Sequence, residues 1–121
     1  MATVINAGMG GMNCTLLASM DTVSSGATLV SGTSEWKSYN AIFYTYKGID
    51  RQSQTYTYTA FHVVNAVKDI TDTILLDHYF RTSPSTEGIP AVKYSDSGIH
   101  VINTTNAYYD MSNLKIYGIN F

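Results

Sequence analysis

The stretch Gln54-Thr55-Tyr56-Thr57-Tyr58-Thr59-Ala60-Phe61-His62-Val63-Val64 decides the class of this fold. Successive side chains of a strand alternate between faces, so Thr55, Thr57, Thr59, Phe61 and Val63 point one way and Tyr56, Tyr58, Ala60, His62 and Val64 the other. A helix cannot be reconciled with that period of two. β-branched and aromatic residues fill both sets, so intrinsic preference agrees with the pattern.

The same grammar extends in both directions. Upstream, Cys14 to Ser19 and Thr28 to Ser31 are strand candidates split by the turn residues Ser24-Ser25-Gly26. Ala41 to Tyr46 is apolar or aromatic on both faces, which predicts a central strand covered from two sides, ended by Lys47-Gly48-Ile49-Asp50. Downstream, Asn65 to Thr73 reads as a loop. Ile74 to Phe80 alternates again, and it stops before the Thr82-Ser83-Pro84-Ser85 loop. Ala91 to Ser95 and Ile99 to Asn103 flank Asp96-Ser97-Gly98, a hairpin signal, and Leu114 to Ile119 supplies a last strand. About eight strands at this spacing predict an all-β chain: a single-domain antiparallel β-sandwich, jelly-roll-like. No internal repeat is visible, and neither Pro84 nor Pro90 interrupts a strand.

Residues 1–13 carry Gly8, Gly10 and Gly11 among small residues and read as a flexible glycine-rich N-terminal arm, leaving 14–121 for the sandwich. With 121 residues, 45% of them hydrophobic, the chain has material for one shared core. Charged residues are only 13% of the chain, against about 25% in an average globular protein. Seven Lys plus Arg and a net charge of -2 provide no basic face, so no nucleic-acid partner is expected. No apolar run is long enough to span a bilayer and Met1 to Ala7 lacks the features of a signal peptide, so the expectation is a protein made in the cytoplasm without membrane insertion. Cys14 is the only cysteine, which excludes an intrachain disulfide.

Catalytic chemistry finds little to work with. His62, His78 and His100 fall on three separate strand candidates without paired ligand spacing, so no metal and no cofactor are expected. Asp77 directly precedes His78, and on a strand such neighbours point to opposite faces. No Gly-x-Ser-x-Gly elbow and no phosphate-binding glycine loop occur. No catalytic residue is assigned and the chain is expected not to be an enzyme. Its ten tyrosines are more suggestive, because each offers an apolar body and a hydroxyl to a saccharide or a protein interface. Tyr56 and Tyr58 on the best strand, and Tyr108 and Tyr109 in the last loop, are the candidate ligand- or interface-binding residues.

Three stretches together resemble small domains of bacteriophage tail-fibre and other virion surface proteins. Trp36-Lys37-Ser38-Tyr39-Asn40-Ala41-Ile42-Phe43-Tyr44-Thr45-Tyr46 resembles their strand after a Ser-Tyr-Asn turn. Val92-Lys93-Tyr94-Ser95-Asp96-Ser97-Gly98-Ile99-His100-Val101 resembles their penultimate hairpin, and Leu114-Lys115-Ile116-Tyr117-Gly118-Ile119 their terminal strand. The resemblance covers about a quarter of the chain. It implies a β-sandwich displayed on a virion, commonly as a homotrimer, that contacts other virion proteins or a host-surface glycan. It supplies no ligand-contact residues to carry over. The expected function is therefore a non-enzymatic virion module for host attachment. A capsid decoration protein that bridges subunits and a free carbohydrate-binding module are the alternatives.

Overall fold

The structure, a computed structural model, describes residues 3–6, 12–23, 26–49, 55–76, 91–103 and 110–121. They form β1 (Thr3–Asn6), β2 (Asn13–Val23), β3 (Gly26–Ser31), a 3-10 helix (Ser34–Ser38), β4 (Ala41–Ile49) and β5 (Thr55–Val63). A single helical turn α1 (Val64–Val67), then β6 (Ile74–Leu75), β7 (Ala91–Ser95), β8 (Gly98–Asn103) and β9 (Asp110–Asn120) follow. The strands build two antiparallel sheets, β1-β2-β9-β4-β5 and β3-β8-β7-β6. β2 pairs with β9 in the first sheet, and β3, which follows β2 in the chain, pairs in the second sheet with β8, which precedes β9. The all-β antiparallel sandwich expected from the alternation is the fold observed.

The core lies between the sheets. Ile42, Tyr44 and Tyr46 of β4 and Leu114 and Ile116 of β9 meet Val92 and Tyr94 of β7 and Ile99 and Val101 of β8, all buried. Alternation explains which residues enter: positions 42, 44 and 46 face the core, while Phe43, Thr45 and Lys47 face outward. Trp36, 1% exposed, plugs one end of the sandwich from the 3-10 helix. Its indole N–H donates to the Ser95 carbonyl at 2.8 Å, and its ring tilts against Tyr94 with centroids 4.8 Å apart. Gly118 of β9 lies beneath the ring of Tyr39, where a Cβ would come within 2.5 Å of Tyr39 Cγ, so only glycine permits this approach.

Several boundaries differ from the sequence expectation, each for a physical reason. Thr3–Asn6, inside the stretch read as a flexible arm, pairs with β2 as β1. Its β-branched Thr3, Val4 and Ile5 suit a strand once β2 offers an edge. Lys47 to Ile49 does not end β4 but continues it, with Gly48 opposite Tyr56. β9 starts at Asp110, earlier than Leu114, and carries a bulge near Asn113, whose φ of 49° an asparagine tolerates. Of the strand expected over Ile74 to Phe80, Ile74–Leu75 pairs with β7, and residues 77–80 lie outside the described part. Within the stretch read as the loop Asn65 to Thr73, the first residues complete α1. The turn Asp96-Ser97 between β7 and β8 is a two-residue hairpin closed by the pair Ser95 and Gly98, with Gly98 at φ 132°.

Candidate interaction surface on the edge strand

β5, the stretch that decides the fold, sits at the edge of the five-stranded sheet. Its nine residues pair with β4 without a register shift, from Ala41 opposite Val63 to Ile49 opposite Thr55. Among the described residues no strand pairs with its other side. The outward-facing backbone donors and acceptors of this edge therefore have no strand partner among the described residues.

Both faces of the strand carry exposed aromatic or aliphatic groups. On the core-side face, Tyr58 stacks on Tyr46 with centroids 5.3 Å apart and planes 16° from parallel. Tyr56, 50% exposed, meets the edge of Tyr58 at 6.3 Å. The outer face presents Phe61 at 52% and Val63 at 45% exposure. Phe61 continues into a row across three strands, with Phe43 6.4 Å from both Phe61 and Tyr117. Of the four tyrosines expected to bind a ligand or an interface, Tyr56 is well exposed, and Tyr58 is half-buried and stacked on Tyr46. Tyr108 and Tyr109 lie outside the described residues. Phe61, Val63, Phe43 and Tyr117 went unassigned because alternation divides a strand into two faces without saying which one meets the core.

His62, on the core side of β5, anchors the strand to the opposite sheet. Its Nδ1 lies 2.7 Å from the Tyr94 hydroxyl, which lies 2.6 Å from the hydroxyl of Tyr44. Burial pushes the Tyr44 phenol well above its ordinary range, with the neighbouring Tyr94 adding to the effect. Tyr94 is raised as well, by burial acting against the bond from Tyr44. Desolvation lowers His62, which favours the neutral ring. One arrangement satisfies all three groups: Tyr44 donates to Tyr94, and Tyr94 donates to Nδ1 of His62. Phenols held protonated and a neutral imidazole make a cross-sheet strut, not a nucleophile with its base.

His100 Nε2 lies 3.4 Å from Ser97 Oγ within the β7–β8 hairpin. His78, with its neighbour Asp77, lies outside the described residues. Among the described residues, no three His, Cys, Asp or Glu side chains come together as metal ligands. No described helix is long and apolar enough to cross a membrane. A cleft of about 520 Å³ at the Trp36 end is lined by Lys37, Lys68, Lys93, Asp69 and Asp96. Lys37 is ion-paired with Asp96 and sits 5.6 Å over the Trp36 ring, which is too buried to offer a stacking face to a sugar. No family model, no curated protein and no solved structure matches the chain.

Proposed function

We propose that this chain is a non-enzymatic binding module that acts through surface contact, and that it serves on a bacteriophage virion as a tail-fibre-like element of host attachment. The observation that carries the contact role is β5: a nine-residue strand whose outer side no described strand pairs with, bearing exposed Tyr56, Phe61 and Val63. Exposed large apolar groups gathered beside an unpaired edge are features of a surface that holds other molecules. The virion placement rests on the three stretches that resemble tail-fibre and virion surface domains. A sandwich with a cross-sheet Tyr44–Tyr94–His62 strut gives such a surface a rigid backing.

A second reading, a capsid decoration protein, is favoured by the outer face. Phe61, Phe43 and Val63 carry no hydrogen-bonding groups and suit an apolar protein partner better than a saccharide. Labelled protein added to cells of the susceptible host, and to particles lacking the chain, separates the two. Cell binding that is lost in Tyr56→Ala supports attachment; saturation of particles with no cell binding overturns attachment in favour of decoration.

A further inference from the structure

The described strands include four sheet edges, and three of them are blunted. β1 is four residues long, β6 is two, and β3 is broken by a register shift between Leu29 and Ser31. Short edges and bulges are how folded proteins keep their sheets from pairing with other chains. β5 has none of these devices. It is nine residues long and regular, and Thr-Tyr-Thr-Tyr-Thr-Ala-Phe-His-Val holds no proline and no Lys, Arg, Asp or Glu.

We infer that β5 pairs antiparallel with β5 of a second copy across a two-fold axis at Thr59, joining two five-stranded sheets into one of ten. This names a partner for the surface described above, and so rests on its proposed contact role. In the register of full overlap, Thr59 faces Thr59 of the second copy, Thr57 faces Phe61, Thr55 faces Val63, Tyr56 faces His62 and Tyr58 faces Ala60. Every facing pair is free of like charge, and Phe61 and Val63 each meet a β-branched partner, the kind of cross-strand pair that stabilises a sheet. Because the pairing is isologous, one sequence needs to be compatible only with itself. Nine facing residues give about eight to ten ladder bonds, close to the ~10 direct hydrogen bonds of a typical protein interface. The exposed Tyr56, Phe61 and Val63 flank the seam and lose water as it closes.

Sedimentation equilibrium of the full chain at micromolar concentration, with two sets of variants, tests the pairing. Thr59→Lys points outward on an exposed position, so it leaves the core intact, and it sets like charges face to face on the axis. The wild type is expected to be a dimer, and Thr59→Lys to weaken association by about tenfold or more. In a Cys14→Ser background, Thr59→Cys places two thiols on Cα atoms about 4.5 to 5.5 Å apart, within disulfide reach, and mild oxidation should yield a covalent dimer. Thr57→Cys separates the thiols by four residue steps, about 13 Å, and should not cross-link. A monomeric or trimeric wild type, or Thr57→Cys cross-linking as readily as Thr59→Cys, overturns the inference. Host-cell binding by a monomeric wild type would overturn the pairing while leaving the attachment role standing.

Discussion

Nδ1 of His62 lies 2.7 Å from the hydroxyl of Tyr94, a bond that ties the edge strand of one sheet to the middle of the other. Desolvation holds His62 below its ordinary pKa of about 6.5. Between the folded value and about 6.5 the unfolded chain binds the extra proton, so this contribution to stability is complete above about 6.5 and is lost as pH falls through the folded value. Denaturant midpoints measured from about pH 7.5 down to about 5 should therefore decline. The decline should shrink in His62→Gln, which keeps an acceptor for Tyr94 but does not titrate; an unchanged pH dependence in that variant would contradict the strut.

Tyr94 is the middle member of the strut, and that position predicts an order of mutational effects. Tyr94→Phe leaves the buried Tyr44 hydroxyl and His62 Nδ1 without their shared partner, a loss of about 2 to 4 kcal/mol for two stranded groups. Tyr44→Phe removes one donor while Tyr94 keeps His62, so it should cost only about 1 kcal/mol. Urea unfolding of both variants checks the order, and equal losses would show that the three groups do not act as a chain.

Gly118 is held free of a side chain by Tyr39, whose ring atoms occupy the space a Cβ needs. Gly118→Ala should destabilise by about 1 to 3 kcal/mol through this overlap. In Gly118→Ala combined with Tyr39→Ala, most of the added cost should vanish, as a double-mutant cycle of thermal unfolding would reveal.

Trp36 joins its end of the sandwich to the β7–β8 hairpin through the bond to the Ser95 carbonyl. Trp36→Phe keeps an aromatic ring against Tyr94 but strands that carbonyl and leaves a void, for a loss of about 2 to 4 kcal/mol. Thermal unfolding followed by far-UV circular dichroism measures it; a shift within error would mean that the indole bond contributes little.

Much of the fold was legible because its strands are locally consistent. Thr55–Val63 falls inside the Gln54 to Val64 alternation, and Ala91–Ser95 matches its expectation residue for residue. Local signals failed where pairing decides. β1 is hidden by the glycines that follow it, and Gly48 reads as a stop although Tyr56 opposite keeps it in the ladder. Period two also divides Thr55 to Val63 into two faces without assigning them. The contacts of Tyr58 with Tyr46, of Ala60 with the core and of His62 with Tyr94 place that set inward and leave Phe61 and Val63 outside. The position of β5 at an edge is a long-range property, set by which strands lie beside β4, and no window of sequence contains it. Tyr56 falls on the strand that the alternation picks out, but that it stays half-exposed opposite Gly48 is a matter of register; the Phe61–Phe43–Tyr117 row likewise needed three strands in register.

The open edge of β5 is the feature on which the contact role depends, and amide hydrogen exchange resolved along Thr55–Val63 measures it directly. At high dilution, amides bonded to β4 should be protected, and the alternating amides that point away from β4 should exchange at nearly the rate of free peptide. As concentration rises those outward amides should become protected together. If they are already protected at the lowest concentration, the edge is covered by the chain itself and β5 is not the proposed contact surface.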